Sequence, residues 1–389
     1  MNEHKILVVG AGISGLALAV AALRKSHQVD VIELEQRVLG VGIFLTGSTL
    51  RALDRIGVAD TCAAHGWPAE ALRLFDGAGN FLGDNPFPRV ARPELPVSAG
   101  MPRPTLSNIL TDAMVEAGGA VRYGLTVNAI EQDDARVGVR FSDGEKATYD
   151  VLVGCDGIYS RVRELVFGPE HRPVHAGQGG WRFMTRRHDD VDGMFLYTHE
   201  RIKAGIIPLD DHWMYVFCTM SDPDRIRIDP GDAPELFREL LKPFTAPLLQ
   251  TLRDRMAVAD PATVMWRPFE TLSLPEGWNR GRVVLIGDAA HSMTPHLTSG
   301  GGMAIEDAII LADQLSADVA PQEALAAFYR QRAERVAWVQ RISGEISKEE
   351  ISSAPSREKI FALTVQDYNA LGAEFLYPAE SRSPRELAA

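Results

Sequence analysis

The stretch KILVVGAGISG, at residues 5–15, decides the fold, and a helical pattern follows it at Leu16–Leu23. The apolar run without alternation is typical of a strand that is buried on both faces, as in a parallel sheet. The glycines match G-x-G-x-x-G, in which they permit a tight turn, a close approach of a pyrophosphate and close packing of helix on strand. Free N–H groups at the helix start then face the phosphates. This stretch therefore predicts a strand, a turn and a helix that bind a dinucleotide.

An acidic residue follows at the spacing that a ribose requires. Val29–Leu34 is predicted as the next strand, and Glu33 lies near its end, 18 residues after Gly15. A carboxylate at that place can accept hydrogen bonds from the two ribose hydroxyls. The motif predicts dinucleotide binding and leaves FAD and NAD open as alternatives.

Two more glycine turns follow short apolar runs farther along the chain. Val151–Gly154 leads into Asp156–Gly157, and Arg282–Ile286 leads into Gly287–Asp288, with a helical pattern after a loop at Ala304–Leu315. Together with the first turn, this layout is typical of a doubly wound α/β domain.

Residues from about 178 to 220 have a different pattern. Strand-like runs occur at Gly180–Arg187, Gly193–Thr198, Lys203–Leu209 and Trp213–Met220, separated by Asp, Gly and Pro. Closely spaced strands of this kind predict an antiparallel sheet. Because the glycine turns flank this region, we predict a discontinuous Rossmann-like cofactor domain into which a β-rich substrate domain is inserted.

The division of the chain follows from these patterns. The cofactor domain is predicted at 1–72, 97–177 and 265–340, and the substrate domain at 73–96 and 178–264. Apolar and aromatic residues recur at helical spacing over Glu323–Gln340 and predict a C-terminal helix. A C-terminal helical segment and a loose polar tail are expected over 341–389.

Composition and charge exclude several classes of function. The chain has 389 residues, with 40 Lys and Arg against 52 Asp and Glu, which give a net charge of −12. Without a basic cluster, such a chain disfavours nucleic acid. Its three cysteines have no CxxC spacing, so neither disulfides nor a zinc site is predicted, and a reducing cytoplasm fits. Residues 6–23 carry no charge, but their glycines predict a strand–turn–helix and not a membrane span.

A second constellation comprises GDAAH at 287–291, Pro295, GGG at 300–302 and the acidic pair at 306–307. Asp288 leaves a predicted strand where its carboxylate can bind a ribityl or ribose hydroxyl. The glycines precede a helix, so backbone N–H groups can point at an anion. A reduced flavin carries negative charge at its N1–C2 oxygen locus, which this helix end would stabilise.

The order of these motifs resembles the FAD-dependent single-component aromatic hydroxylases of the p-hydroxybenzoate hydroxylase type, the group A flavoprotein monooxygenases. The resemblance rests on the first glycine turn with Glu33, on RPTLSNIL at 103–110, on VGCDGIYSRVR at 153–163 and on 287–307. LGVGI at 39–43 resembles the family's segment along the flavin. The likeness covers residues 4–340, the substrate domain only in general layout. One departure is Thr298-Ser299-Gly300, where many members have Gly-Gln-Gly.

The resemblance implies a role for individual residues. Glu33 would hold the adenosine ribose, Arg103 the pyrophosphate–ribityl region and Asp288 the ribityl chain. The Asp156–Gly157 motif is associated in this family with both FAD and NAD(P)H. The residues expected to contact FAD are Gly10, Gly12, Ile13, Ser14, Gly15, Glu33, Gly42, Arg103, Asp156, Gly157, Gly287, Asp288, Gly300, Gly301, Gly302 and Met303.

The resemblance also implies the reaction. NAD(P)H would reduce FAD, O₂ would form a flavin C4a-hydroperoxide, and its distal oxygen would pass to a small aromatic or hydroxypyridine-type substrate. The expected partners are that substrate, O₂ and NAD(P)H, with a homodimer left open. The alternatives are a urate-type hydroxylase or epoxidase of the same fold, a flavin binder without turnover, and an NAD-dependent dehydrogenase.

A general base would deprotonate a phenolic or hydroxypyridine substrate and so make its ring more nucleophilic. The candidate catalytic residues are His296, Pro295, His212 and Tyr215. The resemblance implies that Pro295 lies near the substrate, which makes the adjacent His296 the best-placed imidazole. Arg182 or Arg201 could hold a substrate carboxylate by a bidentate pair. No metal site is predicted.

Overall fold

The structure, a computed structural model, describes residues 3–36, 40–200, 202–275, 277–352, 355–356, 358–360 and 362–363. In these residues the strands are β1 (Lys5–Val9), β2 (Gln28–Glu33), β3 (Gly42–Leu45), β4 (Trp67–Ala69), β5 (Ala71–Asp76), β6 (Phe81–Pro86), β7 (Ser98–Pro102), β8 (Val121–Tyr123), β9 (Val127–Gln132), β10 (Val137–Phe141), β11 (Lys146–Tyr149), β12 (Val151–Gly154), β13 (Val174–Arg186), β14 (Met194–His199), β15 (Ile202–Pro208), β16 (Trp213–Ser221), β17 (Val264–Thr271), β18 (Asn279–Arg280) and β19 (Val283–Leu285). The helices are α1 (Ile13–Leu23), α2 (Gly47–Arg55), α3 (Ala59–His65), α4 (Arg103–Glu116), α5 (Arg161–Phe167), α6 (Ala233–Leu240), α7 (Pro247–Met256), α8 (Asp288–His291), α9 (Gly300–Leu315) and α10 (Pro321–Glu350). Short 3₁₀ turns lie at Pro261–Thr263 and Pro295–Leu297.

The first large sheet has six strands in the order β18-β19-β12-β1-β2-β8. Strand β1 lies in its centre and pairs in parallel with β12 and β2, while the edge strand β18 runs antiparallel to β19. Because the carboxyl ends of parallel strands share one edge, the turns after β1, β12 and β19 meet there. The predicted α/β fold with a parallel sheet is confirmed.

The second large sheet has seven strands in the order β17-β13-β16-β15-β14-β5-β6 and is antiparallel except for the pair β14 and β5. Its strands β13 to β16 confirm the four strands predicted from the sequence. One face carries apolar side chains, among them Trp181, Phe183 and Val216, in a core shared with α6 and α7. Because side chains alternate along a strand, Arg182 and Tyr215 lie on the other face.

Two smaller sheets complete the described fold. Strands β9, β10 and β11 form one, and β3, β7 and β4 form the other. Strand β3 leads through Thr46 into α2, and its Ile43 side chain lies against Gly301 at the start of α9.

Three strands cross the boundaries predicted between the two domains. Residues 265–340 are predicted in the cofactor domain, but β17 pairs with β13 in the seven-stranded sheet. The substrate domain is predicted to begin at 73 and 178, whereas β5 starts at Ala71 and β13 at Val174. A strand belongs to the sheet that satisfies its backbone hydrogen bonds, so these residues are part of the seven-stranded sheet. The division into two domains stays a prediction.

Helix α10 joins two segments that are predicted separately. The helix predicted over Glu323–Gln340 and the start of the helical segment expected after it form one continuous helix, Pro321–Glu350. Ile342 and Ile346 are buried against the first core and extend the apolar face of the helix by a further turn. At about 1.5 Å per residue, its 30 residues span roughly 45 Å. The residues after 363, including the predicted tail, lie outside the described residues.

Two expectations from composition agree with the described residues. Cys62, Cys155 and Cys218 are free and buried. Residues 6–23, whose lack of charge raised the question of a membrane span, form most of β1 and α1. None of the helices in the described part of the chain combines the length and apolar character that a bilayer crossing requires.

Candidate active site

A cavity of about 670 Å³ lies between the carboxyl edge of the six-stranded sheet and the face of the seven-stranded sheet that carries Arg182 and Tyr215. Several of the predicted cofactor residues line it: Gly12, Ile13, Ser14, Gly42, Arg103, Gly157, Asp288, Gly300 and Gly301. Predicted residues outside that lining are Gly10, Gly15, Glu33, Asp156, Gly287, Gly302 and Met303. The structure thus brings all three glycine turns to one space.

The first glycine turn has one open position and two packed ones. A Cβ on Gly10, whose φ is 105°, would collide with the Cys155 carbonyl, and a Cβ on Gly15 would collide with the Gly10 carbonyl. These two glycines therefore serve strand-to-strand and helix-to-strand packing. Gly12, in contrast, would meet nothing within 4 Å, and no side chain caps the helix that follows it. Its surroundings fit a phosphate at the start of α1.

Glu33 lies beside the same turn. Its Oε2 accepts a hydrogen bond from the Ala11 amide at 2.8 Å, and its Oε1 accepts one from the Glu35 amide at 3.0 Å. Each carboxylate oxygen has a further lone pair. The carboxylate is therefore fixed at the end of β2 with capacity to accept from a ribose.

Asp156 caps a helix. Its carboxylate accepts hydrogen bonds from the Ser160 hydroxyl at 2.5 Å and from the Arg161 and Val162 amides at 2.7 and 3.0 Å. Burial raises the pKa of this carboxyl above its ordinary value, against hydrogen bonds that lower it. The neighbouring Gly157, with a φ of 77°, lines the cavity. Asp156 holds the turn, and Gly157 is the member open to a cofactor.

Asp288 is the exposed acid of the second constellation. It lies at the start of α8, lines the cavity, and its carboxylate has no hydrogen-bond or ion-pair partner among the described residues. Gly287 before it has a φ of 59°, and a Cβ there would press on Ser14 and Ala304. The segments at Ser14, Gly287 and Ala304 therefore pack closely together, and this packing fixes the position of the Asp288 carboxylate.

A buried set of charged residues supports that turn; we call it the arginine cluster (His291, Glu306, Asp307, Arg332 and Arg335). The Asp307 carboxylate accepts from the Gly287 amide at 3.0 Å, from His291 Nε2 at 2.6 Å and from Arg332 Nε at 2.8 Å. Glu306 pairs with Arg332 at 2.7 Å and with Arg335 at 2.8 Å.

Two members of this cluster, Asp307 and Arg332, have shifted pKa values. Burial alone would raise the pKa of Asp307, but His291 and Arg332 outweigh it, and that pKa lies below its ordinary value. Burial likewise opposes the charge of Arg332, but Glu306 and Asp307 raise its pKa. Neither Arg332 nor Arg335 is predicted as a site residue, because both lie in the predicted C-terminal helix and belong to no motif.

At the start of α9, the first two residues border the cavity and the next two are packed in the core. Gly300 and Gly301 line the cavity, and no side chain caps the helix. Gly302 packs on the Thr49 hydroxyl, and the Met303 side chain is buried against Arg332. A cofactor at Gly302 or Met303 would therefore contact main chain.

Arg103 and Gly42 line the opposite side of the cofactor space. Arg103 begins α4, its side chain lies against Gly40, and no carboxylate among the described residues pairs with it. A Cβ on Gly42 would overlap the Tyr215 ring. An unpaired guanidinium, an exposed carboxylate and uncapped helix starts are the groups that a pyrophosphate and a ribityl chain require, so the residues present fit FAD.

The predicted catalytic residues separate into two groups. Tyr215 and Pro295 line the cavity. His212 is not part of that lining: it is exposed in the turn before β16, where its amide donates to Asp210 at 2.7 Å, and its catalytic role stays a prediction. His296 also belongs to the cavity lining, but its side chain has no accessible surface, and its Nε2 contacts Glu350 at 3.1 Å. A substrate in the cavity would not touch that imidazole without rearrangement.

Tyr215 and Arg182, on the face of the seven-stranded sheet that borders the cavity, have shifted pKa values. Burial raises the pKa of Tyr215 to about 12, so its hydroxyl is protonated at neutral pH. Burial also lowers the pKa of Arg182, which has no carboxylate partner among the described residues. The other candidate for a carboxylate, Arg201, lies outside the described residues.

Lys203 and Glu350 are cavity residues that the sequence analysis missed. Lys203 Nζ forms an ion pair with Glu350, and both line the cavity. In sequence they are 147 positions apart. A continuation of the helical pattern beyond Gln340 was the available signal, because it would have carried the last turn of α10 to this place.

Comparison with known proteins identifies the family of this chain. Residues 3–342 match a family model described as FAD binding domain. The chain belongs to this family, and within it to the FAD-dependent monooxygenases of the p-hydroxybenzoate hydroxylase type. The protein is therefore a flavoprotein with FAD as its cofactor.

Three similar proteins illustrate the relationship. YetM of Bacillus subtilis (strain 168), whose description as an FAD-dependent monooxygenase is itself an inference, is 33% identical over 373 residues, 91% of this chain and 96% of YetM. The 6-hydroxynicotinate 3-monooxygenase of Pseudomonas fluorescens is 30% identical over 373 residues, 88% and 91% of the two chains. The crystal structure of Klebsiella pneumoniae HpxO complexed with FAD and uric acid has a TM-score of 0.81 at 24% identity, covering 95% of this chain and 92% of that one. This structural likeness shows the fold.

Proposed function

We propose that the protein is an NAD(P)H-dependent monooxygenase that hydroxylates a small aromatic or hydroxylated N-heteroaromatic ring bearing an acidic group. One observation carries the proposal: a single cavity joins the cofactor-side residues Arg103 and Asp288 to a sheet face that holds Arg182 and Tyr215. The relative named for 6-hydroxynicotinate supports a ring of this class. The family resemblance supports NAD(P)H as the electron donor.

The cofactor side of the cavity would hold FAD through three kinds of group. The N–H groups at the start of α1, next to Gly12, and the Arg103 guanidinium would bind the pyrophosphate. Asp288 would accept a hydrogen bond from the ribityl chain, and Glu33 one from the adenosine ribose. The uncapped start of α9 at Gly300 would face the pyrimidine end of the ring.

FAD, when bound, supplies the activation of O₂ and the transfer of one oxygen atom to the ring. The protein's part is to exclude water from the place of transfer. Apolar side chains from four strands of the seven-stranded sheet provide that wall: Leu72, Leu74, Met194, Leu196, Phe217 and Met265. A dry wall of this kind prevents wasteful loss of the oxidising equivalent as H₂O₂.

Arg182 and Tyr215 would orient the substrate. A guanidinium without a carboxylate partner in a low-dielectric cavity binds a substrate carboxylate strongly, and a bidentate contact fixes its direction. The Tyr215 hydroxyl, protonated at neutral pH, can donate a hydrogen bond to a ring oxygen as negative charge develops there. Of the four predicted catalytic residues, Tyr215 is therefore the one we retain for direct contact, with Pro295 as a wall.

The test uses the purified holoprotein. It should be yellow, with bands at roughly 370 and 450 nm from the flavin. NADH and NADPH oxidation is then followed with a panel of hydroxypyridine and hydroxybenzoate carboxylates, and hydroxylated product and H₂O₂ are quantified. We expect at least one ring acid to stimulate oxidation and to yield hydroxylated product. A flavin-loaded protein with no substrate-stimulated oxidation over the panel would instead be a flavin binder.

A further inference from the structure

The last turn of α10 places one carboxylate at the junction of four chain segments. Glu350 Oε2 accepts from Gln178 Nε2 at 2.9 Å on β13, from His296 Nε2 at 3.1 Å and from the Thr219 hydroxyl at 3.4 Å on β16. Its Oε1 binds the ammonium of Lys203 on β15. We call these five residues the Glu350 cluster.

The free hydrogen-bonding capacity of this cluster belongs to Lys203. Glu350 already has four donors around it, and its side chain is 9% exposed. Lys203 is 21% exposed, and among the described residues two of its three N–H groups have no partner. The His296 imidazole is fully covered. The Lys203 ammonium is therefore the member of the cluster that presents itself to the cavity.

Lys203 and Arg182 are cations on the same face of the seven-stranded sheet, and they differ in whether a carboxylate neutralises their charge. The charge of Lys203 is balanced by Glu350. Arg182 lies on the same face and has no carboxylate partner among the described residues, and the positive charges of Arg103 and Arg267 lie close enough to lower its pKa further. The Lys203–Glu350 pair beside α10 thus carries no net charge, whereas Arg182 places an uncompensated positive charge in the same cavity.

We infer that Glu350 is a specificity-determining residue that acts through Lys203: it cancels the ammonium charge, so that the cavity at Lys203 accepts an uncharged hydrogen-bonding edge of the substrate ring and directs an anionic group to Arg182. This inference rests on the proposed function. A ring with a carboxylate on one side and a carbonyl or hydroxyl on the other matches Arg182 and Lys203, because Lys203 retains donors for the second group.

Variants that remove the charge of Glu350, of Lys203 or of both distinguish a role in substrate specificity from a purely structural role. In Glu350→Gln the positive charge of Lys203 is uncompensated, and a second anion site appears. In Lys203→Met the negative charge of Glu350 is uncompensated, and anions are repelled. In the double variant Lys203→Met/Glu350→Gln both charges are gone and the wild-type balance returns. Damage to packing alone would make the double variant at least as impaired as either single variant.

The experiment measures the binding of 6-hydroxynicotinate and of its uncharged analogue 6-hydroxynicotinamide to the FAD-loaded protein. Perturbation of the flavin spectrum gives both dissociation constants without turnover. We expect the preference for the carboxylate to rise roughly tenfold in Glu350→Gln, to fall roughly tenfold in Lys203→Met, and to return to within about threefold of wild type in the double variant.

Two results would overturn the inference. One is a carboxylate preference that stays the same in both single variants; the other is a double variant that fails to restore it. If Glu350→Gln does not fold, the Lys203→Met arm still decides the matter. Failure of the wild type to bind either probe, or to hydroxylate any ring acid, would count against the proposed function, which is a different result from an unchanged preference in an active enzyme.

Discussion

The arginine cluster and the Glu350 cluster both contain ion pairs that involve α10, but the arginine cluster is buried and the Glu350 cluster lies at the cavity. In the arginine cluster, Arg332 and the acid pair at 306–307 are 1% exposed or less, and each carboxylate is paired with at least one arginine. In the Glu350 cluster, the carboxylate is equally well satisfied, but its partner Lys203 faces the cavity with spare N–H groups. Access to the cavity, more than burial of charge, therefore distinguishes a structural ion pair from one that we infer can select a ligand.

The largest expected effect comes from breaking the sealed cluster. Arg332→Met leaves Glu306 and Asp307 with less positive charge in the core, which should lower the free energy of unfolding by about 3–5 kcal/mol. FAD content should fall too, because Asp307 holds the Gly287 amide. Urea unfolding of the apoprotein and flavin absorbance measure both.

The matched control for that variant is Arg341→Met on the same helix. Arg341 is exposed and pairs with Glu345 one turn later, so its loss should cost less than about 0.5 kcal/mol. Equal losses from the two substitutions would contradict the distinction between the sealed cluster and a solvent-exposed pair.

The next effect concerns the uncompensated cation of the cavity. Arg182→Met should raise KM for a ring carboxylate roughly 10- to 100-fold, because a charged hydrogen bond is lost, and should change KM for the carboxamide analogue little. Steady-state kinetics with both compounds give the comparison. Arg186→Met, exposed on the same strand, serves as the control, and a comparable rise there would remove Arg182 from the substrate site.

A smaller effect is expected on the cofactor side. Asp288→Ala removes the exposed carboxylate and should weaken FAD binding about tenfold, with little change in the stability of the apoprotein. Titration of apoprotein with FAD measures this, with Glu131→Ala, exposed on β9, as control. Unchanged FAD affinity would show that Asp288 does not hold the ribityl chain.

The smallest effect is a pH dependence of the Glu350 cluster. Burial opposes ionisation of Glu350, but Lys203 and His296 outweigh it, so its pKa lies well below the ordinary value. A carboxyl whose folded pKa is lowered stabilises the protein above its unfolded pKa of about 4.3, and this contribution is lost as pH falls. The stability difference between wild type and Glu350→Gln should be constant from about pH 8 to 6 and shrink below about pH 5. Urea unfolding across this range checks the sign, and a difference that grows toward acid would contradict it.

Local patterns predicted the parts of the fold that depend on neighbours in sequence. An apolar run followed by a glycine turn located β1 and β12 at the residues predicted for them, 5–9 and 151–154, since strand and turn propensities act over a few positions. The strands β13 to β16 followed from strand-like runs and turn residues in the same way.

Contacts between distant segments were beyond those patterns. The pairing of Lys203 with Glu350 joins positions 147 apart, and neither residue belongs to a motif. His212 lies one residue before the strand, which begins at Trp213 as predicted, and a side chain in a turn does not share the alternation of the strand. Asp156 belongs to a motif, yet its carboxylate caps α5, which follows from the conformation of the turn and not from the residue type.

In the proposed function, this cavity brings FAD, O₂ and an aromatic ring acid together for oxygen transfer. Turnover of the holoprotein with NAD(P)H and a ring acid under ¹⁸O₂, followed by mass spectrometry of the product, tests this directly. We expect one atom of ¹⁸O in each molecule of hydroxylated product. Product without the label, or NAD(P)H consumption that yields H₂O₂ alone with every ring acid tested, would contradict it.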